Sequence, residues 1–338
     1  MESPPLLRYI IAGQVRREYI ITPSGKPISD ATGGNLLYSA AGLGVWDNAI
    51  GLIGKVGTDF PVESLNQIHR QGFDIRGIKV DDQELDIRSF FAYSSDNNVD
   101  INNPFGHFKR LGILFPKSLL GYTPSILSSG LCSEVTPLSL RLLDVPDDYW
   151  DAGTVHICPM DYLSQGILLS KFHNSNFHTI TLEIAPEYMN QSFSVNIEKL
   201  IKNTTTFFTS EDCIRNLFSG RTTNLWEMAE GIANFGCEIV VIKRGLSGQL
   251  IYEKSTDNRW SIPAYPSRVT DPTGAGNAFC GGFIYGYRET YDPVESALHG
   301  NISASLAVEG SGSFYAMNGM PGFAHARLET LRSNVQKM

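Results

Sequence analysis

Short apolar runs alternate with amphipathic segments along most of the chain, and this alternation predicts the fold. Runs with the composition of buried strands are Tyr9–Ala12, Ala49–Ile53, Thr154–Cys158, Thr179–Ile184, Thr205–Phe208 and Glu238–Ile242. Segments with helical spacing lie between them: Leu36–Leu43, Val62–Gln71, Leu163–His173, Ile197–Lys202 and Leu225–Phe235. The order is typical of right-handed β-α-β units. It predicts a doubly wound, mostly parallel α/β sheet with helices on both faces.

Two regions break this alternation and predict a second, smaller element. Val15–Ser29 and Arg88–Tyr93 have strand patterns outside the main series. We expect them to form a small β lid, with strands drawn from residues 14–30 and 86–128. Ser94–Ser129 is rich in Asn, Pro, Gly and Ser and is long for a connection, so we interpret it as a loop excursion near the lid.

The end of the chain has helical patterns only. After Gly276 the predicted helices are Ala278–Tyr287, Pro293–Val308 and Ala324–Gln336. With no internal repeat, residues 1–338 are predicted to form a single domain.

Composition narrows the partners. The chain is 42% apolar and 18% charged, and its net charge of -8 argues against nucleic acid, which is bound by clustered Lys and Arg. It has no run of 18 apolar residues, and its start lacks the pattern of a signal peptide. We therefore expect a cytoplasmic protein without a membrane partner. Five widely spaced cysteines without a CxxC pair argue against a disulfide framework.

The segment from Asp271 to Gly282, DPTGAGNAFCGG, carries the most chemical information. A glycine-rich turn that leads into a helix exposes unpaired backbone N–H groups at the positive end of the helix dipole, which is an anion site. Gly274 and Gly276 would let the backbone approach a phosphate closely. A tight turn before a buried helix would account for the same glycines.

Two common phosphate-binding motifs are absent. The dinucleotide fingerprint GxGxxG fails because Phe279 stands at its third position, and Gly54-Lys55-Val56 lacks the upstream Gly and the Ser or Thr of a P-loop.

The segment resembles instead the C-terminal signature of the PfkB-type, ribokinase-like carbohydrate kinases, approximately DTxGAGDxFxxG. Three further motifs occur in family order. Gly33-Gly34-Asn35 resembles the N-terminal GG motif, residues 53–59 (IGKVGTD) resemble the strand followed by VGxD, and residues 243–248 (KRGLSG) resemble the TxGxxG turn. The resemblance spans roughly residues 8–312.

The resemblance implies an ATP- and Mg²⁺-dependent phosphotransferase that acts on a sugar or nucleoside hydroxyl. By this resemblance Gly274, Ala275 and Gly276 would form the anion hole. The residues implied near the nucleotide are Lys243, Arg244, Gly245, Gly248 and Thr273. On the substrate side they are Gly33, Gly34 and Asn35. The lid would cover the substrate, and its exposed sheet could pair two copies into a homodimer.

Asn277 departs from the family pattern at its catalytic position. The family has an Asp there that takes a proton from the attacking hydroxyl, whereas an amide cannot accept a proton near neutral pH. A general base contributes about 10²–10⁴-fold, so its loss alone should leave a slow kinase. Asp271 is a candidate substitute base, and the alternative is that it orders the turn through an Asx-type hydrogen bond.

Two more sites depart from the pattern. The family has an Asp after the first strand that binds substrate hydroxyls. Here the chain reads GQVRRE, with Arg17 nearest that position, which suggests an anionic ligand or none. The family motif NxxE, which helps to order magnesium, corresponds at best to residues 209–212 (TSED), where Asp212 would be a metal ligand. His156 and Cys158 alternate on one strand and share a face, which hints at a metal, but without further ligands core packing is the better explanation.

Two functions therefore remain open from the sequence. One is an ATP-dependent phosphotransferase, with normal or reduced activity, that acts on a small sugar-like or nucleoside-like substrate. The other is a catalytically inactive kinase-fold protein that binds nucleotide or another anion and acts through partners. Turnover separates them.

Overall fold

A computed structural model describes residues 6–96, 98–124 and 135–333, and the backbone of residues 336 and 337. The strands are, in chain order, β1 (Tyr9–Ala12), β2 (Arg16–Ile21), β3 (Pro27–Gly33), β4 (Ile50–Val56), β5 (Asp74–Val80), β6 (Arg88–Tyr93), β7 (Val99–Asp100), β8 (Thr154–Ile157), β9 (Thr179–Glu183), β10 (Thr206–Ser210), β11 (Ile239–Lys243), β12 (Gln249–Glu253), β13 (Asn258–Ile262) and β14 (Gln336–Lys337).

The α-helices of the described residues are α1 (Asn35–Gly44), α2 (Val62–Arg70), α3 (Pro104–Arg110), α4 (Tyr162–His173), α5 (Ser194–Ile201), α6 (Glu211–Leu217), α7 (Leu225–Ala233), α8 (Ala275–Thr290), α9 (Pro293–Ala307) and α10 (Phe323–Arg332).

The main sheet has the strand order β14-β13-β12-β11-β10-β9-β8-β1-β4-β5. The seven strands from β11 to β5 are parallel, and β12, β13 and β14 add antiparallel pairs at one edge. The chain runs from β1 outward to β4 and β5, then returns to place β8 on the other side of β1. Sheets of this kind bind ligands at such a reversal, outside the carboxyl ends of the strands.

Alternating side chains of each central strand enter two different cores, because successive residues of a strand point to opposite faces. On β1, Ile10 packs with the helices α4 to α7, whereas Tyr9 and Ile11 pack with α1 and α2. On β10, Phe207 joins the first core and Phe208 packs under α8 and α9. The result is the predicted three-layer fold, with a mostly parallel sheet between two layers of helices.

The predicted lid is a separate four-stranded sheet with the order β3-β2-β6-β7. Its own small core contains Tyr19, Ile21, Phe90 and Phe108, the last from α3. The excursion predicted as loop therefore contains a short strand and a helix within its described part. Asn103 caps α3 by accepting a hydrogen bond from the Gly106 N–H, and Pro104 begins the helix. Residue 97 and residues 125–129 of the excursion lie outside the described residues.

One secondary-structure prediction is wrong at the end of the chain. The last helix ends at Arg332 instead of continuing to Gln336, and Gln336–Lys337 pairs with β13 as an edge strand. The described cysteines, Cys158, Cys213, Cys237 and Cys280, are free thiols. Among the described helices, none combines the length and apolar composition needed to cross a membrane.

Candidate active site

The turn before α8 is held by Asp271. This buried carboxylate accepts hydrogen bonds through Oδ1 from the Thr273 N–H at 3.0 Å and from the Thr273 hydroxyl at 2.7 Å. The geometry is an Asx turn, as the second interpretation of Asp271 predicted. The other oxygen, Oδ2, is buried and has no hydrogen-bond partner among the described residues. Asp271 thus orders the turn from behind.

Gly274 begins α8 in the left-handed region, with φ 76°. A Cβ at this position would lie 2.1 Å from two ring carbons of Tyr38, so only glycine fits the contact between the turn and α1. The first N–H groups of α8 have no acceptor within the helix and carry the positive end of its dipole. The first turn of α8 is therefore an anion-binding element.

Two cavities meet at this first turn. The loop-side cavity, of about 520 Å³, is lined by Lys243, Arg244, Gly245, Gly248, Ala275 and Gly276, among others. The lid-side cavity, of about 340 Å³, is lined by Gln14, Arg16, Glu18, Gly34, Asn35, Tyr38, Tyr93, Thr273, Gly274 and Asn277, among others. Consecutive residues of one helical turn thus face two separate spaces, with Gly274 and Asn277 on one side and Ala275 and Gly276 on the other.

Asn35 joins the carboxyl ends of β1 and β8 at the reversal of the sheet. Its side-chain oxygen accepts from the Gln14 N–H at 2.8 Å, and its amide donates to the Pro159 carbonyl at 2.7 Å. Gly34 precedes it with φ 103°, and a Cβ there would lie 2.2 Å from the Gln14 carbonyl oxygen. The Gly33-Gly34-Asn35 motif thus fixes the floor of the lid-side cavity.

Glu18 is a cavity residue that the sequence analysis missed. Its side chain is buried, accepting from the Gly34 N–H at 2.8 Å and from the Tyr38 hydroxyl at 2.9 Å. Burial raises the pKa of this carboxyl to about 7, against the two hydrogen bonds, which lower it. The alternation of β2 was a partial signal, because it places Arg16 and Glu18 on one face of the strand and Arg17 on the other without saying which face meets the cavity.

Lys243 ends β11 inside a polar cluster beneath the first turn of α8. Its ammonium donates to Glu183 Oε1 at 2.7 Å and to the Gly276 carbonyl at 3.2 Å, and it lies 3.6 Å from Cys280 Sγ. Burial lowers the pKa of Lys243, but the attraction of the Glu183 carboxylate, which accepts its hydrogen bond, raises it, and the net pKa lies above its ordinary value. The cluster ties β9 and β11 to α8.

The same cluster holds the described residues closest to a metal-site arrangement. Ligand atoms of His156, Glu183 and Cys280 lie within 4.8 Å of one another. The Lys243 ammonium already bonds Glu183, and burial raises the pKa of Cys280 well above its ordinary value, which keeps it a thiol. The cation of this cluster is the lysine. His156 Nδ1 lies 2.9 Å from the Thr181 hydroxyl, and Cys158, its neighbour in the strand alternation, is not part of this three-residue group.

Comparisons with known proteins agree with this geometry. Residues 159–318 match the sequence profile of the pfkB family carbohydrate kinases. The cytidine kinase of Thermococcus kodakarensis is 25% identical over 284 residues, which cover 83% of this chain and 89% of that protein. Over residues 159–318 the chain is thus similar to the pfkB family carbohydrate kinases. The 5-dehydro-2-deoxygluconokinase of Clostridium perfringens is 24% identical over 307 residues, covering 88% of this chain and 85% of that protein.

The fold of this chain also matches solved structures of the ribokinase type. A ribokinase II from E. coli in complex with ATP and Mg²⁺ superposes with a TM-score of 0.68 at 17% identity, covering 97% of this chain and 99% of the other. The predicted ribokinase-like fold is therefore confirmed.

The predicted anion-binding residue, Arg17, does not line the lid-side cavity; the preceding residue, Arg16, does. Arg17 lies on the outer face of the lid, where its Nε and Nη2 donate to the Asp30 carboxylate at 2.7 and 2.6 Å. Arg16 lines the lid-side cavity and donates through Nη2 to Gln14 Oε1 at 2.6 Å. Its Nη1 is buried without a hydrogen-bond partner among the described residues, and burial lowers its pKa.

The predicted metal ligand lies away from both cavities. Asp212 is exposed in the first turn of α6 and lines neither of them. Its neighbour Glu211 points inward and accepts from Arg244 Nε at 2.7 Å, which holds Arg244 at the rim of the loop-side cavity. At the residues that resemble the family's magnesium motif, 209–212, this chain thus has an ion pair that orients a cavity arginine.

Proposed function

We propose that this chain is an ATP-dependent phosphotransferase that acts on a hydroxyl of a small sugar-like or nucleoside-like substrate. The observation that carries the proposal is the first turn of α8, which separates the loop-side cavity from the lid-side cavity. A transferred phosphoryl group needs one anion-stabilising element between donor and acceptor, and the N-terminus of α8 supplies it.

The loop-side cavity suits a nucleotide. Its walls carry the cations of Lys243 and Arg244, and Gly245 and Gly248 bend the loop with φ 56° and 81°. A Cβ at Gly248 would lie 2.0 Å from the Ile262 carbonyl oxygen, which explains the second glycine of the turn. ATP, when bound, supplies the γ-phosphoryl group, and the Gly274–Gly276 backbone would hold its charge.

Magnesium fits this chain less well than the nucleotide does. The predicted ligand Asp212 is exposed and lies off the cavity, so no step of the reaction is assigned to it. Mg²⁺ commonly binds through substrate phosphates and water with one or two carboxylates. We infer that any Mg²⁺ enters as the nucleotide complex.

The lid-side cavity suits a small polar substrate. Glu18 offers carboxylate oxygens to hydroxyl groups, and the Asn277 amide can hydrogen-bond the attacking hydroxyl without accepting its proton. Because phosphoryl transfer depends chiefly on positioning and charge neutralisation, an amide at this position is compatible with turnover. Asn277 equally favours the alternative, a nucleotide-binding protein without turnover that acts through partners.

Nucleotide titration and a turnover assay separate the two functions. Heat on titration with ATP is expected in both cases. ADP release that depends on a sugar, polyol, sugar acid or nucleoside would support the phosphotransferase. Binding without ADP release across such a panel would support the alternative, and no nucleotide binding would reject both.

A further inference from the structure

The candidates for a proton acceptor near Asn277 are the carboxylates around the lid-side cavity. Asp271 does not line the cavity, and its Oδ1 is already occupied by two hydrogen bonds from Thr273. Glu187, in the loop after β9, and Glu18 on β2 do line it. Of these two, only Glu18 contacts the turn before α8, through Tyr38: the Tyr38 hydroxyl donates to Glu18, and the Tyr38 ring packs directly against Gly274.

Glu18 is held in one orientation with capacity to spare. The Gly34 N–H and the Tyr38 hydroxyl each bind one of its oxygens, and a carboxylate has about four acceptor sites. Gly33 makes room for it, since a Cβ there would lie 2.1 Å from Glu18 Oε2. The side chain is only 3% exposed, so a bound substrate would meet a fixed, nearly dry carboxylate.

We propose that Glu18 is the general base of this chain and performs the proton transfer that Asn277 cannot. The inference rests on the proposed phosphotransferase function. As the substrate oxygen forms its bond to the γ-phosphorus, the bond from that phosphorus to the β–γ bridging oxygen breaks and ADP leaves. The hydroxyl proton passes to a Glu18 oxygen and from there to solvent. Asn277 hydrogen-bonds the attacking oxygen.

The charges around Glu18 set the pH at which it acts. Burial raises its pKa to about 7; Tyr38 and the Gly34 N–H lower it, Asp271 raises it and Arg16 lowers it. The Tyr93 hydroxyl also faces it, with its own pKa raised by burial. A base must be deprotonated, so the rate should rise as pH increases through about 7 and level off above it.

The test is the pH profile of kcat for the whole chain and three variants: Glu18→Gln, Glu18→Gln with Asn277→Asp, and Glu187→Gln. Glu18→Gln should lower kcat by about 10²–10⁴-fold and remove the acid limb near pH 7. Adding Asn277→Asp should restore at least tenfold, with the limb moved toward the ordinary Asp pKa of about 3.9. Glu187 lines the same cavity, and the pH profile of kcat for Glu187→Gln should keep its acid limb near pH 7.

Folding is checked by ATP titration, since Glu18 does not line the loop-side cavity and Glu18→Gln should bind ATP as the unmodified chain does. The proposal is overturned if Glu18→Gln keeps the acid limb, if it only raises KM, or if Asn277→Asp recovers nothing in its background. ATP binding without turnover in the unmodified chain would overturn the phosphotransferase function, and Glu18 as base with it. Turnover that is indifferent to Glu18 would overturn Glu18 alone.

Discussion

Gly274→Ala should be much more damaging than an ordinary glycine substitution. Gly274 caps the start of α8 with φ 76°. A Cβ at this position would lie only 2.1 Å from two carbons of the Tyr38 ring. Ordinary carbon–carbon contacts are about 3.5–4.0 Å, so the two groups would have to separate by about 1.4 Å. Tyr38 cannot give way freely, because it is buried and its hydroxyl is bonded to Glu18.

Gly322 provides a matched control for the backbone strain. It begins α10 with φ 80° in the same left-handed region, and a Cβ there would have nothing within 4 Å. Left-handed backbone costs a non-glycine residue roughly 1–2 kcal/mol, so Gly322→Ala should lose about that much free energy of unfolding. Crowding of a packed core adds typically 1–3 kcal/mol, so Gly274→Ala should lose about 2–5 kcal/mol.

Urea unfolding followed by tryptophan fluorescence measures both losses, and ATP-dependent turnover measures the functional one. A displacement near 1 Å at a reacting centre can cost about 10²-fold in rate, so Gly274→Ala should be nearly inactive while Gly322→Ala keeps its activity. Equal losses of stability in the two variants would refute the close contact between the turn and Tyr38.

Three further predictions test other parts of the site. Asn277→Asp adds a base with a lower pKa, so it should raise turnover at pH 6 at least tenfold and less at pH 8, and no gain over a substrate panel at either pH contradicts the base argument. Lys243→Met leaves the Glu183 carboxylate without its cation and should lower the free energy of unfolding in urea by about 3–5 kcal/mol. Adding Glu183→Gln to the same chain should recover most of this loss, and a failure to recover it would show that the ion pair is not the cause. Arg16→Gln should raise KM for a sugar acid by about 10–100-fold and leave KM for a neutral polyol nearly unchanged. Arg17→Gln removes an arginine that is already bound to Asp30 and should change either KM by no more than about twofold. A larger effect of Arg17→Gln than of Arg16→Gln would show that Arg17 binds the anion.

The layers of this fold could be predicted because burial leaves a direct mark on the sequence. Ile50–Val56 is buried at every position, as a central parallel strand requires, and the sequence shows it as an unbroken run without charged residues until Lys55. The end of the chain was harder, since a two-residue edge strand such as Gln336–Lys337 is set by its pairing with β13 and has no periodicity of its own.

The candidate site divides along the same line. The glycine turn before α8 was predictable. A left-handed residue just before a helix favours glycine, and the N–H groups of the first helical turn are free to bind an anion. Glu18 could not be predicted as a cavity residue, because alternation along β2 places Arg16 and Glu18 on one face without saying which face meets the cavity. Asp212 failed for a similar reason: a helix turn points Glu211 inward and its neighbour to solvent.

The most direct test of the account is whether ADP forms only when a nucleotide and a second small molecule are both present. The unmodified chain would be titrated with ATP and Mg²⁺ by calorimetry and then assayed for ADP with sugars, polyols, sugar acids and nucleosides at pH 8, where Glu18 is deprotonated. The account predicts ATP binding together with ADP release that depends on one of these hydroxyl compounds. ATP binding with no ADP release across the panel would contradict it.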